Sequence, residues 1–221
     1  MPVNKEIYQS IKSACDAKGV SLIAVSKTKP NEDILELYEL GQRDFGENYV
    51  QELESKYESL PKDIRWHFIG HLQSNKVKNI ANFVHLIHGV DSEKLLKEIN
   101  KQAVKFNRVV PCLLQVHIAK EETKFGMDEE ELSSVFSHLG ELRNVSVQGL
   151  MGMASFSDDM DLVRSEFKNL SGIFKEKHDA GNTTVNTLQT LSMGMSADYA
   201  IAIEEGSTMI RVGSLLFGKR N

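Results

Sequence analysis

The stretch "SLIAVSKTKPNEDILELYELGQRDFGE", residues 21–47, contains the signals of a strand, a helix and a second strand. The apolar run at its start predicts a buried strand over residues 21–27. Acidic residues in the first turn and Gly41 after the last turn predict a helix over residues 31–41. Residues 43–47 predict a short strand. Strands that alternate with helices are typical of a parallel sheet.

The same alternation continues along the chain and gives eight strands in all. The other predicted strands are residues 65–70, 84–90, 109–118, 145–154, 186–195 and 207–218. The other predicted helices are residues 3–18, 48–60, 72–83, 91–107, 127–142, 158–181 and 196–206. Eight such units favour a single (β/α)8 TIM barrel, in which the first helix takes the place of a helix after strand eight. A doubly wound open sheet is the alternative. No linker or low-complexity tract interrupts the pattern, so residues 1–221 are predicted to form one domain.

Composition excludes several classes of protein. The net charge of −5 gives no basic field for nucleic acid. No apolar run is long enough to span a bilayer, and the polar N-terminus lacks the features of a secretory signal, so we expect no membrane partner. The two cysteines, Cys15 and Cys112, are far apart. We therefore expect neither a disulfide nor a cysteine-based zinc site, and we expect a reducing, cytoplasmic location.

Candidate functional residues follow the predicted strands, at the barrel end where active sites lie. Lys27 ends predicted strand one. The stretch "SMGMS" (192–196) spans the end of strand seven, and "RVGS" (211–214) lies in strand eight. Loops at these strands often bind phosphate through backbone N–H groups, and Ser196 is predicted to start a helix whose dipole would help. A desolvated lysine beside a phosphate site is the chemistry of a Schiff base with a phosphorylated aldehyde, such as pyridoxal 5′-phosphate (PLP).

Each of these residues also has a structural explanation. A lysine after a strand is usually solvated, the methionines of the two "MGM" triplets can fill core gaps, and Asn48 can cap a helix. Arg211 is harder to explain structurally, because a guanidinium in an apolar strand costs much to bury unpaired. His67 and His71 do not form a helical HExxH motif, so no metal site is expected.

Six stretches resemble the pyridoxal phosphate homeostasis protein family in order along nearly the whole chain. They are "AVSKTKP", "FGENYVQE", "WHFIGHLQSNK", "KFGM", "GLMGM" and "LSMGMSADYAIAIEEGSTMIRVGSLLFG". The resemblance implies a single (β/α)8 barrel like the N-terminal domain of alanine racemase and of fold-type III decarboxylases. It implies that PLP is the cofactor and that the protein regulates PLP levels, with no catalytic residues of its own.

The resemblance also assigns roles to individual residues. Lys27 carries PLP as an internal aldimine, and Arg211 faces the pyridine nitrogen. Asn48 lies near the cofactor, and Met193 lines the pocket through backbone and side chain. The phosphate is held by Ser192, Ser196, Gly213 and Ser214. The family commonly has threonine at the last position, and serine keeps the hydroxyl.

Three functions remain open from the sequence. The first is a monomeric PLP carrier and regulator, with apo-PLP enzymes as acceptors. The second is a small PLP-dependent amino-acid racemase; the sequence ends at Asn221, so the C-terminal domain that supplies a second base in alanine racemase is not expected, and all five tyrosines fall in predicted helices. The third is a phosphate-binding barrel without PLP, in which Lys27 pairs a sugar phosphate. Arginine cannot accept a proton and would leave the ring nitrogen neutral, which favours the carrier.

Overall fold

The computed structural model describes residues 3–121, 125–181 and 188–218. Among these residues, eight parallel strands form a closed barrel in sequence order, which confirms the TIM barrel over the open sheet. The strands are β1 Ser21–Val25, β2 Asp44–Glu47, β3 Arg65–Phe68, β4 Leu86–Val90, β5 Val110–Gln115, β6 Val145–Met151, β7 Thr190–Ser192 and β8 Met209–Val212. The helices are α1 Lys5–Ala17, α2 Asn31–Glu39, α3 Val50–Ser59, α4 Val77–Ile80, α5 Glu93–Lys105, α6 Glu129–His138, α7 Met160–Gly181, α8 Tyr199–Glu204 and α9 Ser214–Phe217.

The barrel has two apolar layers that follow from the alternation of side chains along each strand. A small inner cluster contains Ile23, Leu86, Leu113, Met151 and Met209. The residues next to them in sequence point outward and join the much larger cluster between strands and helices. Along each strand, side chains two residues before or after an inner residue therefore also face the barrel interior.

Three predicted elements differ from the structure. Residues 72–83 do not form one helix; they contain a short 3-10 turn, Ser74–Lys76, and the single-turn helix α4. The last predicted strand ends at Val212, and α9 follows it. Ser196 does not start a helix, because α8 begins three residues later, at Tyr199. Residues 186 and 187 of the predicted seventh strand, and Lys124 of "KFGM", lie outside the described residues.

Two further features bear on the composition analysis. Both cysteines are buried and unpaired, as expected. Within the part of the chain that the structure describes, no helix combines the length and the apolar character needed to cross a membrane.

A substitution at Gly149 tests how closely strands β6 and β7 approach each other. A Cβ atom added at Gly149 in β6 would lie 1.7 Å from the backbone oxygen of Thr190 in β7. Gly149→Ala should therefore lower the free energy of unfolding by at least about 3 kcal/mol, the upper end of the usual cost of overpacking. Gly140→Ala is the matched control, because no atom lies within 4 Å of its added Cβ. Urea unfolding of both variants measures the difference, and equal stabilities would contradict this packing.

Candidate cofactor site at the barrel mouth

Lys27 lies at the corner of a tight turn directly after β1. The turn runs from Ser26 to Lys29, whose N–H donates to the Ser26 carbonyl at 3.0 Å. Thr28 has a φ of 63°, the left-handed value that a type II turn requires at its third residue. This conformation costs free energy for a residue other than glycine, and such strain concentrates at functional sites. Lys27 is half-buried and shares the parity of Ile23, which faces the interior.

A buried ionic cluster holds both flanks of this turn. The Lys56 ammonium donates to the Ser26 carbonyl at 2.8 Å and pairs with Glu47 at 2.8 Å and Glu52 at 2.7 Å. The Ser26 hydroxyl donates to Glu47, and the Thr28 N–H donates to Glu52, each at 2.6 Å. The residues before and after Lys27 are thus bound to different members of one cluster of three charged side chains. Sequence analysis missed this cluster, although the Glu52–Lys56 spacing on a predicted helix is a recognised ion-pair signal.

Glu47 is an unusual carboxylate because its side chain is fully buried. Burial raises its pKa to about 7, while the charge and hydrogen bond of Lys56 act in the opposite direction. Its Oε2 atom meets no hydrogen-bond donor within the described part of the chain. Glu47 therefore titrates closer to neutral pH than an ordinary glutamate.

Arg211 crosses the interior from β8 and is only 4% exposed. Its guanidinium donates to Ser192 Oγ at 2.6 Å and to the Gly152 carbonyl at 3.1 Å. Burial lowers the pKa of Arg211 to about 10, and the nearby Asp198 opposes the shift. The guanidinium keeps its positive charge at neutral pH, so a permanent cation lies inside the barrel, beneath the mouth.

A chain of polar side chains continues from Arg211 down through the barrel. Ser192 Oγ lies 3.2 Å from His88 Nδ1, and His88 Nε2 lies 3.0 Å from His67 Nδ1. His67 Nε2 lies 3.0 Å from Asp44 Oδ1. Burial and the neighbouring His67 hold the pKa of His88 well below its usual value, so this ring is neutral. His88 was not singled out in the sequence, because a lone histidine in an apolar strand carries no motif.

The predicted phosphate residues fall into two groups. Ser196 and Gly213 come together, because the Gly213 N–H donates to Ser196 Oγ at 3.2 Å. Ser214 is the exposed first residue of α9 and adjoins them. Ser192 is fully buried and lies with Arg211 and His88. The structure therefore brings the loops after β7 and β8 together.

The "SMGMS" loop bends sharply at its central glycine. Gly194 has a φ of 94°, and a Cβ there would lie 2.5 Å from the Ala202 side chain. Met193 is fully buried and packs its side chain in the outer cluster. Its backbone is consequently the part that can line the mouth.

Asn48 supplies an observation that points to a ligand. It follows β2 directly, and its Oδ1 atom is buried with no hydrogen-bond partner among the described residues. A buried polar atom without a partner is costly, so it normally has a partner in the working state of the protein. The mouth therefore combines Lys27, the Asn48 amide oxygen without a partner among the described residues, the buried Arg211, and the Ser196 hydroxyl bonded to the Gly213 N–H. These groups fit a phosphorylated pyridine aldehyde such as PLP.

Comparison with known proteins shows which family this chain belongs to. Residues 5–221 match the family described as "Alanine racemase, N-terminal domain". A protein of Aquifex aeolicus named pyridoxal phosphate homeostasis protein is 43% identical over 220 residues, which cover 97% of this chain and 95% of that protein. This chain belongs to the pyridoxal phosphate homeostasis protein family. A family member from Vibrio alginolyticus is 38% identical over 219 residues, which cover 97% of this chain and 92% of the relative.

A solved structure from the same family carries the cofactor. The structure of PipY from Synechococcus elongatus PCC7942, described as having PLP bound, superposes on this chain with a TM-score of 0.87 and 36% identity. The match covers 96% of this chain and 99% of PipY. The family member with PLP bound and this chain thus share one fold.

The raised pKa of Glu47 gives a pH-dependent prediction. Since its pKa is higher in the folded protein (about 7) than when unfolded (4.5), its contribution to stability is present below pH 4.5 and is lost as pH rises through 7. Glu47→Gln cannot titrate, so its stability relative to wild type should improve as pH rises from 5 to about 7.5. Urea unfolding at several pH values measures the difference, and a stability difference that does not change with pH would contradict the assignment.

Proposed function

We propose that this protein binds PLP through Lys27 and acts in PLP homeostasis. The observation that carries this proposal is the strained turn at Lys27, anchored on both flanks, at the mouth of a barrel whose relative PipY is described with PLP bound. Bound PLP supplies an electrophilic carbonyl for a lysine and an electron sink for amino-acid chemistry. The residues of this chain determine how much of that chemistry is used.

Each group at the mouth has a distinct proposed task. Lys27 Nζ forms the covalent link. Ser196, Gly213 and Ser214 hold the phosphate through hydroxyl and N–H groups, and Asn48 accepts a hydrogen bond at its buried Oδ1. Arg211 faces the ring nitrogen. We assign Ser192 to this group, and not to the phosphate as in the sequence analysis, because it bonds Arg211. Because arginine donates and cannot accept a proton, it keeps that nitrogen unprotonated and weakens the electron sink.

We propose that the protein is a carrier and not a racemase. Racemisation needs a base on each face of the substrate, and Lys27 can supply only one. All five tyrosines are described, and none lies in a strand. Three lie in α1, α2 and α3, and Tyr199 begins α8. Tyr49 has extended backbone just before α3, not the helical position predicted, and is 55% exposed.

An apolar rim at the mouth supports apo-PLP enzymes as acceptors. We define the rim as Tyr49, Phe125, Phe156 and Met195, which lie in the loops after β2, β5, β6 and β7. Their exposed fractions are 55%, 54%, 95% and 37%. Exposed aromatic side chains around a polar opening are typical of surfaces that meet another protein.

The two buried thiols suit the proposed cytoplasmic location. We propose that the carrier itself is a monomer.

Borohydride reduction tests the lysine. After incubation of the wild type with PLP, reduction should fix a pyridoxyl group on the peptide that contains Lys27. Lys27→Ala should lose this label. Lys29→Ala is the matched control, because the Lys29 ammonium donates to the Phe217 carbonyl at 2.8 Å. This variant should keep the label. Peptide mass spectrometry locates the group, and a label on Lys29 or Lys76 would overturn the assignment.

Deuterium exchange at the α-carbon of L- and D-amino acids separates the carrier from the racemase. A site that lacks one base should be slower than a two-base site by roughly 10²–10⁴-fold. We expect slow exchange, close to that of the Lys27→Ala blank, together with transfer of PLP to an apo-enzyme on mixing. Fast exchange that depends on Lys27 and inverts the substrate would instead establish a racemase.

A further inference from the structure

A second cluster of polar side chains lies at the opposite end of the barrel from the mouth. Asp44 begins β2, His67 lies in β3, and His85 immediately precedes β4. The pairing of β2 with β3 and of β3 with β4 brings them together. One ligand atom from each residue lies within 4.8 Å of the other two. We call these three residues the floor site.

We propose that the floor site binds one divalent transition-metal ion of the Zn²⁺ class. Two imidazoles and one carboxylate are a ligand set that zinc proteins use, with water in the fourth position. His85 is exposed, so solvent reaches that position. The sequence predicts no metal site, because His67 and His71 form no metal-binding motif there; in the structure His71 bonds Asp91 at 2.9 Å. The partners of His67 come from neighbouring strands and are invisible as a motif.

The ligands at the floor are already held close together. His67 Nε2 lies 3.0 Å from Asp44 Oδ1, so a metal ion can replace the shared proton with little movement of either side chain.

The outer partner of His67 is also in place. Metal-binding histidines almost always bond their second ring nitrogen to another group, which fixes the ring and its tautomer. His67 Nδ1 lies 3.0 Å from His88 Nε2. With metal on Nε2, the His67 Nδ1–H donates to His88, whose Nδ1–H then donates to Ser192 Oγ, 3.2 Å away. The polar chain inside the barrel can therefore support the metal-bound tautomer.

Arg65 competes with the metal for Asp44. Its Nε donates to Asp44 Oδ1 at 2.6 Å, and a second nitrogen of the guanidinium donates to Oδ2. The Arg65 side chain is 47% exposed, and a cavity of about 280 Å³ beside it gives the guanidinium space to move aside. Because the guanidinium can turn out to solvent, a transition metal can displace it from Asp44. Substitutions at Arg65 and at His85 should consequently have opposite effects on metal affinity.

Titration of the untagged full-length protein with Zn²⁺, after dialysis against a chelator, tests the site. We expect one ion per chain. His85→Ala should weaken binding by at least roughly tenfold, the lower end of what even outer-shell partners contribute. Arg65→Gln should tighten it. His71→Ala is the matched control, because His71 is an exposed histidine that bonds an aspartate, Asp91, outside the floor site. Its affinity should equal that of the wild type.

Co²⁺ in place of Zn²⁺ gives a spectroscopic check that is independent of PLP. Coordination by two imidazoles and a carboxylate should produce an absorption band in the red part of the visible spectrum, and His85→Ala should lose it. Circular dichroism verifies that each variant is folded. The proposal is overturned if Zn²⁺ does not bind, if His85→Ala binds as well as His71→Ala does, or if Arg65→Gln weakens binding.

Discussion

The pairing of β1 with β8 is the constraint on which the rest of the structure depends. These strands are the first and last of the barrel, and their register places Ile23 opposite Arg211 and Ala24 opposite Val212. Extending the register brings the turn that carries Lys27 next to the loop at Gly213, where a Cβ atom would lie 3.1 Å from the Val25 carbonyl oxygen. Residues almost 190 positions apart in sequence thus meet at one opening, because a parallel barrel must join its two edge strands.

The ionic cluster below the Lys27 turn contributes more to geometry than to stability. Burying charges costs several kcal/mol per ion, and pairing recovers this cost only when every group is well bonded. Lys56 is well bonded through Ser26, Glu47 and Glu52, whereas one oxygen of Glu47 has no partner among the described residues. The cluster holds a residue with left-handed backbone in place, which a purely apolar contact could not do with the same directionality.

The sequence predicts the barrel well because each strand is a short apolar run and most helices carry clear start or stop signals. The prediction fails where the local preferences of individual residues compete with the apolar spacing. The apolar spacing of residues 72–83 is helical, yet Ser74 and Asn75 favour bonds to nearby backbone, and only short turns form. The motif residues Lys27 and Arg211 could be named from the sequence. His88 could not, since its partners lie on other strands and only the closed barrel brings them together. For Lys56 the sequence signals only the pair with Glu52 on the same helix, and not the bonds to Ser26 and Glu47.

The chain of polar groups inside the barrel also acts on folding. Leu86 faces the interior and Ile87 faces the helices, so His88 points inward only in the native alignment of β4. A slip of one residue would turn His88 into the outer layer, leave both of its ring nitrogens without these partners, and take one hydrogen-bond partner each from Ser192 and His67. Apolar interiors tolerate such slips better, because one aliphatic side chain replaces another. The histidines therefore favour the native alignment of the strands, because a misaligned barrel would leave their polar atoms without partners.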